Sequence, residues 1–369
     1  MRELMDQGPM KQYYSDYLQL DRILNAQKPV SAEHGTEAHD EMLFIIMHQV
    51  YELWFKQILH ELSDVLSTFG RDRIDEKQVG IAVSRLLRIT EIQKVLVDQL
   101  SVIETMTSLD FLEFRQLLAP ASGFQSVQFR VIENKLGVLP EQRMRYDKQP
   151  YYAHVTPDHQ EVIREAEESR SLFDLIESWL ERTPYVEFEG FNFWESYRQA
   201  VDQHFQVDRD IIHANDRWSD EEKEVQLKEV AGNAAHFSAV FDKEKHEALI
   251  EKGRWRLSHR ATVAALLIHL YRDEPILHLP YRLLTVLVDM DEWFTTWRYR
   301  HALMVHRMIG TKVGTGGSVG YQYLRSTVEK HKVFTDLFNL STFLIPRSAL
   351  PPLPDDVQQT LGFFGDRAK

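Results

Sequence analysis

The sequence predicts an all-α protein, and three observations support this fold class. Apolar and aromatic residues recur at i, i+3 and i+4 through most of the 369-residue chain, which is the spacing of one helix face. No stretch of strand length shows a clear alternation of apolar and polar residues. The hydrophobic content of 43% is enough for a packed globular core.

The strongest helical pattern is the string EMLFIIMHQVYELWFKQILHEL at 41–62. Its apolar residues cover almost every side of the predicted helix, so we expect this helix to be buried over most of its surface. Weaker patterns of the same period predict further helices, at 10–26, 76–104, 109–118, 124–136, 158–181, 192–210, 217–231, 259–271, 280–309 and 319–340.

Breakers rich in proline and glycine separate these helices, at 120–123, 140–157, 183–191 and 275–280. The densely charged stretch 208–229 is typical of a solvated helix face. The prolines of 346–369 predict an extended strap on the surface. We expect one helical core from 1–140 and 255–350, a smaller helical insertion at 141–254, and a C-terminal tail at 351–369.

Composition excludes several functional classes. The 43 basic and 56 acidic residues give a net charge of -13 without a basic block, which argues against nucleic acid as a partner. The absence of cysteine excludes disulfides, thiolate haem ligation, iron–sulfur clusters and cysteine-type zinc sites. No signal-peptide core and no apolar run of about 18 residues is present, so we expect a cytoplasmic protein with no membrane span.

The segment WRYRHALMVHRMIGTKVGTGGSVG at 297–320 places two histidines on one predicted helix and a glycine-rich stretch after it. His301 and His306 are five residues apart, or about 500° around the helix, so both cannot face one ligand. A helical histidine beside aromatic residues fits the axial ligand of a haem, whereas a hydrogen-bonded core histidine is the more frequent alternative. We expect the glycine-rich stretch to form a mobile lid.

Two further segments carry candidate binding residues. His48 lies on the buried 41–62 helix with Phe44 one turn before it, an arrangement that offers one imidazole in an aromatic wall. Arg115 lies among phenylalanines and could hold a carboxylate through two hydrogen bonds, and Ser122 follows at a helix break. Ordinary core packing for His48 and an ion pair for Arg115 are the alternatives.

A nucleotide site is disfavoured. The string GTGGSVG at 314–320 is similar to a dinucleotide-binding fingerprint, but its last gap is one residue too long and it follows a helix instead of a strand. The common P-loop, metalloprotease and nucleophile-elbow motifs are also absent from the sequence.

Taken together, the strings HDEMLFIIMHQVYELWFKQIL, ETMTSLDFLEFR, PASGFQSVQFR, WRYRHALMVHRMIG and GTGGSVGYQYLRSTV closely resemble the tryptophan 2,3-dioxygenase family. The resemblance extends from about residue 14 to 350 and is weakest at about 205–250. It implies a haem-binding helical dioxygenase fold with one haem b per chain, assembled as a homotetramer that is a dimer of dimers. The implied reaction inserts both atoms of O2 across the indole C2–C3 bond of L-tryptophan and gives N-formyl-L-kynurenine, the first step of the kynurenine pathway.

The resemblance also implies roles for individual residues. His301 would be the proximal ligand of the haem iron, and His48 the distal residue that hydrogen-bonds the indole N–H, as a base or only to orient the ring. The other substrate-binding residues implied are Phe44 and Phe111 at the indole, Arg115 at the carboxylate, Thr315 at the ammonium and carboxylate, Ser122 near the haem, and Tyr14 and Tyr17 from a neighbouring subunit.

Three points stay open at this stage. A second, non-catalytic tryptophan site near Trp179 and Arg182 is implied loosely by the resemblance. A haem dioxygenase for a related indoleamine would tolerate loss of the carboxylate, and turnover of tryptamine would favour it. A non-catalytic sensor of haem or tryptophan would form a ferrous–oxygen complex that tryptophan does not destabilise.

Overall fold

A computed structural model describes residues 13–143, 152, 155–184, 186–188, 191–312 and 320–361. The predicted all-α class is confirmed, because helices dominate this part of the chain. The α-helices are α1 Tyr14–Leu18, α2 Leu20–Leu24, α3 Val30–Glu33, α4 Glu41–Phe69, α5 Glu76–Ile103, α6 Ser108–Arg115, α7 Val127–Leu136, α8 Pro157–Glu168, α9 Leu172–Glu181, α10 Phe193–Ala214, α11 Asp220–Phe241, α12 Lys243–Glu251, α13 His259–Leu270, α14 Pro275–Ile309, α15 Gly320–Lys330, α16 Thr335–Asn339 and α17 Asp355–Leu361.

Short elements connect some of these helices. The strands β1 Glu187–Phe188 and β2 Phe191–Asn192 form a small antiparallel pair, too short to show in the sequence as alternation. Single 3₁₀ turns lie at Gln116–Leu118, Gly123–Gln125, Pro140–Gln142, Leu340–Phe343 and Arg347–Ala349.

Three long helices, α4, α5 and α14, form the centre of the fold. The six residues between α4 and α5 make them antiparallel neighbours, and the Tyr51 hydroxyl donates to the Leu96 carbonyl at 2.5 Å across the pair. Helix α14 packs against α5, and the Gln93 amide donates to the Met290 carbonyl at 3.0 Å. Their inward faces are apolar, and Leu62, Leu86 and Leu287 are fully buried there.

The main hydrophobic core continues into the predicted insertion. Phe193 and Tyr197 of α10 belong to the same buried cluster as Leu267 of α13 and Leu287 of α14. One core therefore spans residues on both sides of the predicted boundaries at 140 and 255. The division into core, insertion and tail stays a prediction.

Two predicted helices are wrong in their continuity. The segment 158–181 forms two helices, because Ser171 is the N-cap of α9. The Ser171 hydroxyl accepts from the Asp174 amide at 3.3 Å, and the Asp174 carboxylate accepts from the Ser171 amide at 2.8 Å. The pattern at 319–340 is also two helices, α15 and α16. Hydrophobic spacing continues across such caps, so it does not reveal the break.

Other boundaries also differ from the predictions. Helix α14 begins at Pro275, where a missing N–H costs nothing, so the predicted breaker at 275–280 is wrong. Helix α12 was not predicted. The expected extended strap is wrong in part, since α17 forms there and buries Val357 and Leu361 against the core.

Gly137 ends α7 with φ +112°, and this backbone conformation brings α7 against the start of α9. A Cβ at this position would lie 2.8 Å from Ser171 Oγ and 2.9 Å from Phe173 Cβ. The position therefore requires glycine for both its backbone angle and its lack of a side chain.

We predict that Gly137→Ala lowers the free energy of unfolding by at least about 1–3 kcal/mol, because the residue would be strained in its backbone and would also collide with α9. Gly232→Ala in α11 is the matched control, since no atom lies within 4 Å of its added Cβ. There the change should stabilise the protein by up to about 1 kcal/mol through helix propensity. Urea unfolding of both variants measures the difference, and equal effects would contradict this role of Gly137.

Candidate active site

A cavity of about 310 Å³ lies among α4, α6, α7, α14 and α15. Its walls are mainly apolar and include the sulfur-containing side chains of Met47, Met304 and Met308. Six of the predicted site residues, which come from four separate segments of the chain, line this one cavity: Phe44, His48, Phe111, Arg115, Ser122 and His301.

The imidazole of His301 is held by packing. Its ring lies parallel to Trp297, one turn earlier on α14, with centroids 5.1 Å apart and planes 3° apart. Burial, with a smaller contribution from the charge of His48, lowers the pKa of His301 to about 4. No hydrogen bond links its ring nitrogens to any other described residue. His301 is thus a neutral imidazole with an available nitrogen, as a metal ligand requires.

His306 occupies a different face of α14. Its ring stacks on Tyr321 of α15 with a centroid distance of 4.2 Å, and it does not line the cavity. Of the two histidines in the 297–320 segment, the structure brings only His301 to the cavity.

His48 faces the cavity from α4, and its hydrogen bond defines its tautomer. Nδ1 lies 2.7 Å from the Phe44 carbonyl, which can only accept, so Nδ1 carries the proton and Nε2 is left as an acceptor. Burial lowers the pKa of His48, against opposing effects of this hydrogen bond and of the Glu52 carboxylate. The side chain is therefore neutral at physiological pH.

Aromatic rings form one wall beside His48. The Phe44 ring lies 4.1 Å from the His48 ring and 5.6 Å from both Phe111 and Phe114, as measured between centroids. Phe114 is fully buried behind them. The wall is flat and apolar, which suits a planar aromatic ligand.

Polar groups lie at the edges of the same cavity. Arg115 ends α6, where a cation interacts favourably with the helix dipole, and its side chain is half-buried. Ser122 caps the 3₁₀ turn that follows: its hydroxyl accepts from the Phe124 amide at 3.4 Å, and its amide donates to the Gln125 side chain at 3.2 Å. These two residues give this part of the cavity a cationic group and a hydroxyl.

The structure does not bring every predicted residue to this cavity. Thr315 and the expected glycine-rich lid lie outside the described residues. Tyr14 and Tyr17 belong to α1, are 75% and 69% exposed, and do not line the cavity of their own chain. Their predicted role in a neighbouring subunit stays a prediction.

Glu52 is a cavity residue to which the sequence analysis assigned no role. It lies one turn after His48, and Gln128 donates to both its carbonyl and its carboxylate at 2.8 Å. The fixed carboxylate raises the pKa of His48 against the effect of burial. Only the i, i+4 spacing to His48 could have indicated it.

A buried cluster around Glu133 was also missed. The Glu133 carboxylate accepts from Arg130 at 3.1 Å, Arg143 at 3.2 Å, Arg298 at 3.1 Å and His331 at 2.8 Å. Burial alone would raise the pKa of Glu133, but these partners, Arg143 foremost, hold it well below its ordinary value. Arg130, which also lines the cavity, is therefore ion-paired with Glu133.

The residues of the second predicted tryptophan site have structural contacts in this chain. Trp179 packs edge-on against Phe69 at 5.9 Å, and Arg182 donates to the carbonyls of Arg71 at 3.3 Å and Asp72 at 2.7 Å. These bonds attach the end of α9 to the loop that joins α4 to α5. A second site there stays a prediction.

The described residues bear on the kind of site in two ways. No group of three or more His, Asp or Glu side chains converges there as a set of metal ligands. In addition, no helix of this part of the chain combines the length and apolar character needed to cross a membrane.

The chain matches the family described as tryptophan 2,3-dioxygenase over residues 3–344. It belongs to the tryptophan 2,3-dioxygenase family. Three curated relatives carry that name: one from Dictyostelium discoideum, 50% identical over 95% of this chain and 88% of its own length; one from Bdellovibrio bacteriovorus, 51% identical over 95% and 98%; and one from Alteromonas mediterranea, 47% identical over 95% and 97%.

Membership of the tryptophan 2,3-dioxygenase family confirms the predicted resemblance and the predicted enzyme class, an oxidoreductase. It also confirms the predicted reaction, oxidation of tryptophan to N-formylkynurenine. The assignment of single residues to steps of this reaction rests on the geometry of the cavity and is developed below.

We predict that Glu133→Gln lowers the free energy of unfolding by about 3–5 kcal/mol, because it removes the charge that several buried cations share. Glu91→Gln is the control: Glu91 pairs with Lys94 at 2.6 Å on the surface, and its loss should cost less than about 1 kcal/mol. Urea unfolding followed by circular dichroism measures both. A Glu133 variant as stable as the control would disprove the central role of this carboxylate.

Proposed function

We propose that the oxidation of L-tryptophan takes place in the cavity between His48 and His301, with one haem b per chain. In this assignment His301 is the proximal ligand, Phe44 and Phe111 contact the indole, and Arg115 binds the carboxylate. The observation that supports it is the convergence of these residues, from separate helices, on one cavity.

The cavity residues fit a haem. His301 is neutral, has no hydrogen-bond partner among the described residues, and stacks on Trp297, so a ring nitrogen would be available to hold the haem iron. Arg130 and Tyr323 add polar groups to the same cavity, with Arg130 ion-paired to Glu133 at 3.1 Å. When bound, the haem iron supplies the activation of dioxygen that no side chain can provide.

The substrate side is built to orient a flat zwitterion. Phe44 and Phe111 present an apolar slot for the indole, while Arg115 offers parallel N–H donors to a carboxylate. Binding both ends fixes the C2–C3 bond relative to the haem and raises the effective concentration of the reacting groups. The arginine also favours an amino acid over the corresponding amine, which argues for tryptophan against an indoleamine lacking the carboxylate.

His48 orients the indole in this proposal. Its Nε2 is an acceptor at the cavity surface, and the indole N–H is a donor. Because burial lowers the pKa of His48, its imidazole is a weak base, and an indole N–H is a far weaker acid. A directed hydrogen bond is therefore favoured over full proton removal.

The remaining parts of the proposal concern Thr315, the two tyrosines of α1, Ser122 and the assembly of the protein. Thr315 would bind the ammonium and carboxylate as the GTGG stretch closes, and Tyr14 and Tyr17 would complete the pocket of a neighbouring chain. Ser122 would lie beside the haem. We also propose that the protein is a cytoplasmic homotetramer, assembled as a dimer of dimers.

We predict that His301→Ala prevents stable haem binding, whereas His48→Ala keeps the haem but lowers kcat/KM. Loss of one directed hydrogen bond should lower kcat/KM by about 10- to 100-fold, and loss of a general base by up to about 10⁴-fold. A pyridine haemochrome assay gives haem content, and the absorbance of N-formylkynurenine gives the rate. Normal haem content in His301→Ala would overturn the ligand assignment.

We predict that Arg115→Ala raises KM for L-tryptophan by about 30-fold or more, because the carboxylate loses charged hydrogen bonds. The preference for L-tryptophan over tryptamine should fall by the same factor. Arg164→Ala is the control, since Arg164 lies on the surface of α8 and pairs with Glu161 at 2.8 Å. An unchanged KM in the Arg115 variant would remove its role at the carboxylate.

A further inference from the structure

Two buried charged side chains lie close to His301 on the 35-residue helix α14. Asp291 and Arg298 are each 5% exposed, and they are seven residues apart, which is nearly two full turns, so they project from the same side of the helix. His301 follows three residues after Arg298 and lies about 60° away around the helix. The contacts that hold these two charges therefore also bear on the direction of the His301 side chain.

Both charged side chains bind the segment that joins α15 to α16. The Asp291 carboxylate accepts from the amides of Val333 and Phe334, at 2.8 Å in each case. The Arg298 guanidinium donates to the His331 carbonyl at 3.4 Å. Helix α14 is thus attached to this segment at two points along one side. A rotation of the helix about its own axis would break hydrogen bonds at both points.

Arg298 has a second partner on another helix. It donates to the Glu133 carboxylate of α7 at 3.1 Å, and Glu133 is itself held by Arg130, Arg143 and His331. One guanidinium therefore joins α14 to two other segments of the chain. The residues that it reaches in those segments, Glu133 and His331, both line the active-site cavity.

The ion pair can define the rotation of α14 more closely than apolar packing does. Apolar side chains of similar volume repack at little cost, so an apolar helix contact tolerates small rotations. A buried ion pair adds little to stability compared with an apolar pair, but losing its geometry leaves a buried charge without a partner. One rotation of α14 satisfies Asp291 and Arg298 together, and this is the rotation that directs His301 into the cavity.

We propose that Arg298 is a positioning residue for His301: its bonds to Glu133 and to the His331 carbonyl set the rotation of α14, and with it the direction of the imidazole. The ring itself is held by its flat stacking on Trp297, one turn earlier on the same helix, so it follows the helix when the helix turns. This inference rests on the proposed function, in which His301 is the haem ligand.

Arg298→Met tests this role, with Arg143→Met as the matched control. Each substitution removes one buried cation from the same Glu133 carboxylate, so both should lower the free energy of unfolding. Arg143 does not belong to α14 and does not line the cavity. A purely structural role of the ion pairs would therefore affect both variants alike, whereas a positioning role would change His301 only in Arg298→Met.

The two variants are compared with haem bound and while folded by circular dichroism. The iron–histidine stretching band in the resonance Raman spectrum of the ferrous protein reports the geometry of the axial bond, and haem transfer to apomyoglobin gives the dissociation rate. Arg298→Met should shift or broaden this band and raise the rate by about 10-fold or more. Arg143→Met should keep the wild-type band and rate. A wild-type band in Arg298→Met, or equal changes in both variants, would overturn the proposal.

Arg298→Lys decides the question if Arg298→Met does not fold. An ammonium keeps the charge beside Glu133 but lacks the planar fork that reaches two partners. The band of Arg298→Lys should still differ from that of the wild type, while Arg143→Lys should match it; a wild-type band in Arg298→Lys contradicts the proposal. His301→Ala keeps the two claims apart. Normal haem content in His301→Ala removes the ligand role, whereas loss of haem there with a wild-type band in the Arg298 variants removes only the positioning role.

Discussion

The buried carboxylate of Glu133 holds together the helices that enclose the cavity. It lies on α7 and accepts from Arg298 of α14 and from His331, which follows α15. Because Arg298 lies one turn before His301, the position of the His301 imidazole depends in part on the contact between Arg298 and Glu133. Burying these charges is costly, and only the complete set of partners makes the arrangement stable. The geometry of the cavity is thus set in part by a buried polar cluster that lines it.

The sequence predicted the helical class well because apolar residues recur about every 3.6 residues along each long helix. The 28 residues of α5 lie almost where the pattern puts them. Where prediction failed, the deciding groups were local polar caps. Ser171 separates α8 from α9 through its hydrogen bonds with Asp174, and this break leaves no mark in the hydrophobic spacing. The sequence analysis predicts a helix break at Pro275, whereas Pro275 is the first residue of α14, a position that suits proline.

The site was predictable only in part. Taken singly, residues such as His48 and Arg115 are more often explained by core packing or ion pairing than by a binding role. The family was identified from the combination of several sequence segments. The Glu133 cluster could not be found this way, because its contacts to Arg298 and His331 join positions 165 and 198 residues apart. Spacing along a helix reports only neighbours within a few residues. The long-range contacts depend on how whole helices pack.

The methionines in the cavity wall have a consequence for the lifetime of the protein. Met47, Met304 and Met308 place thioethers in the wall of the cavity where we propose that dioxygen reacts, in a chain that has no cysteine thiol. Oxidation to the sulfoxide would turn these flexible apolar side chains into polar ones and make the cavity less suited to bind the indole ring. If dioxygen were activated in the absence of bound tryptophan, it could oxidise these methionines and inactivate the enzyme. Coupling oxygen activation to substrate binding therefore also protects the protein.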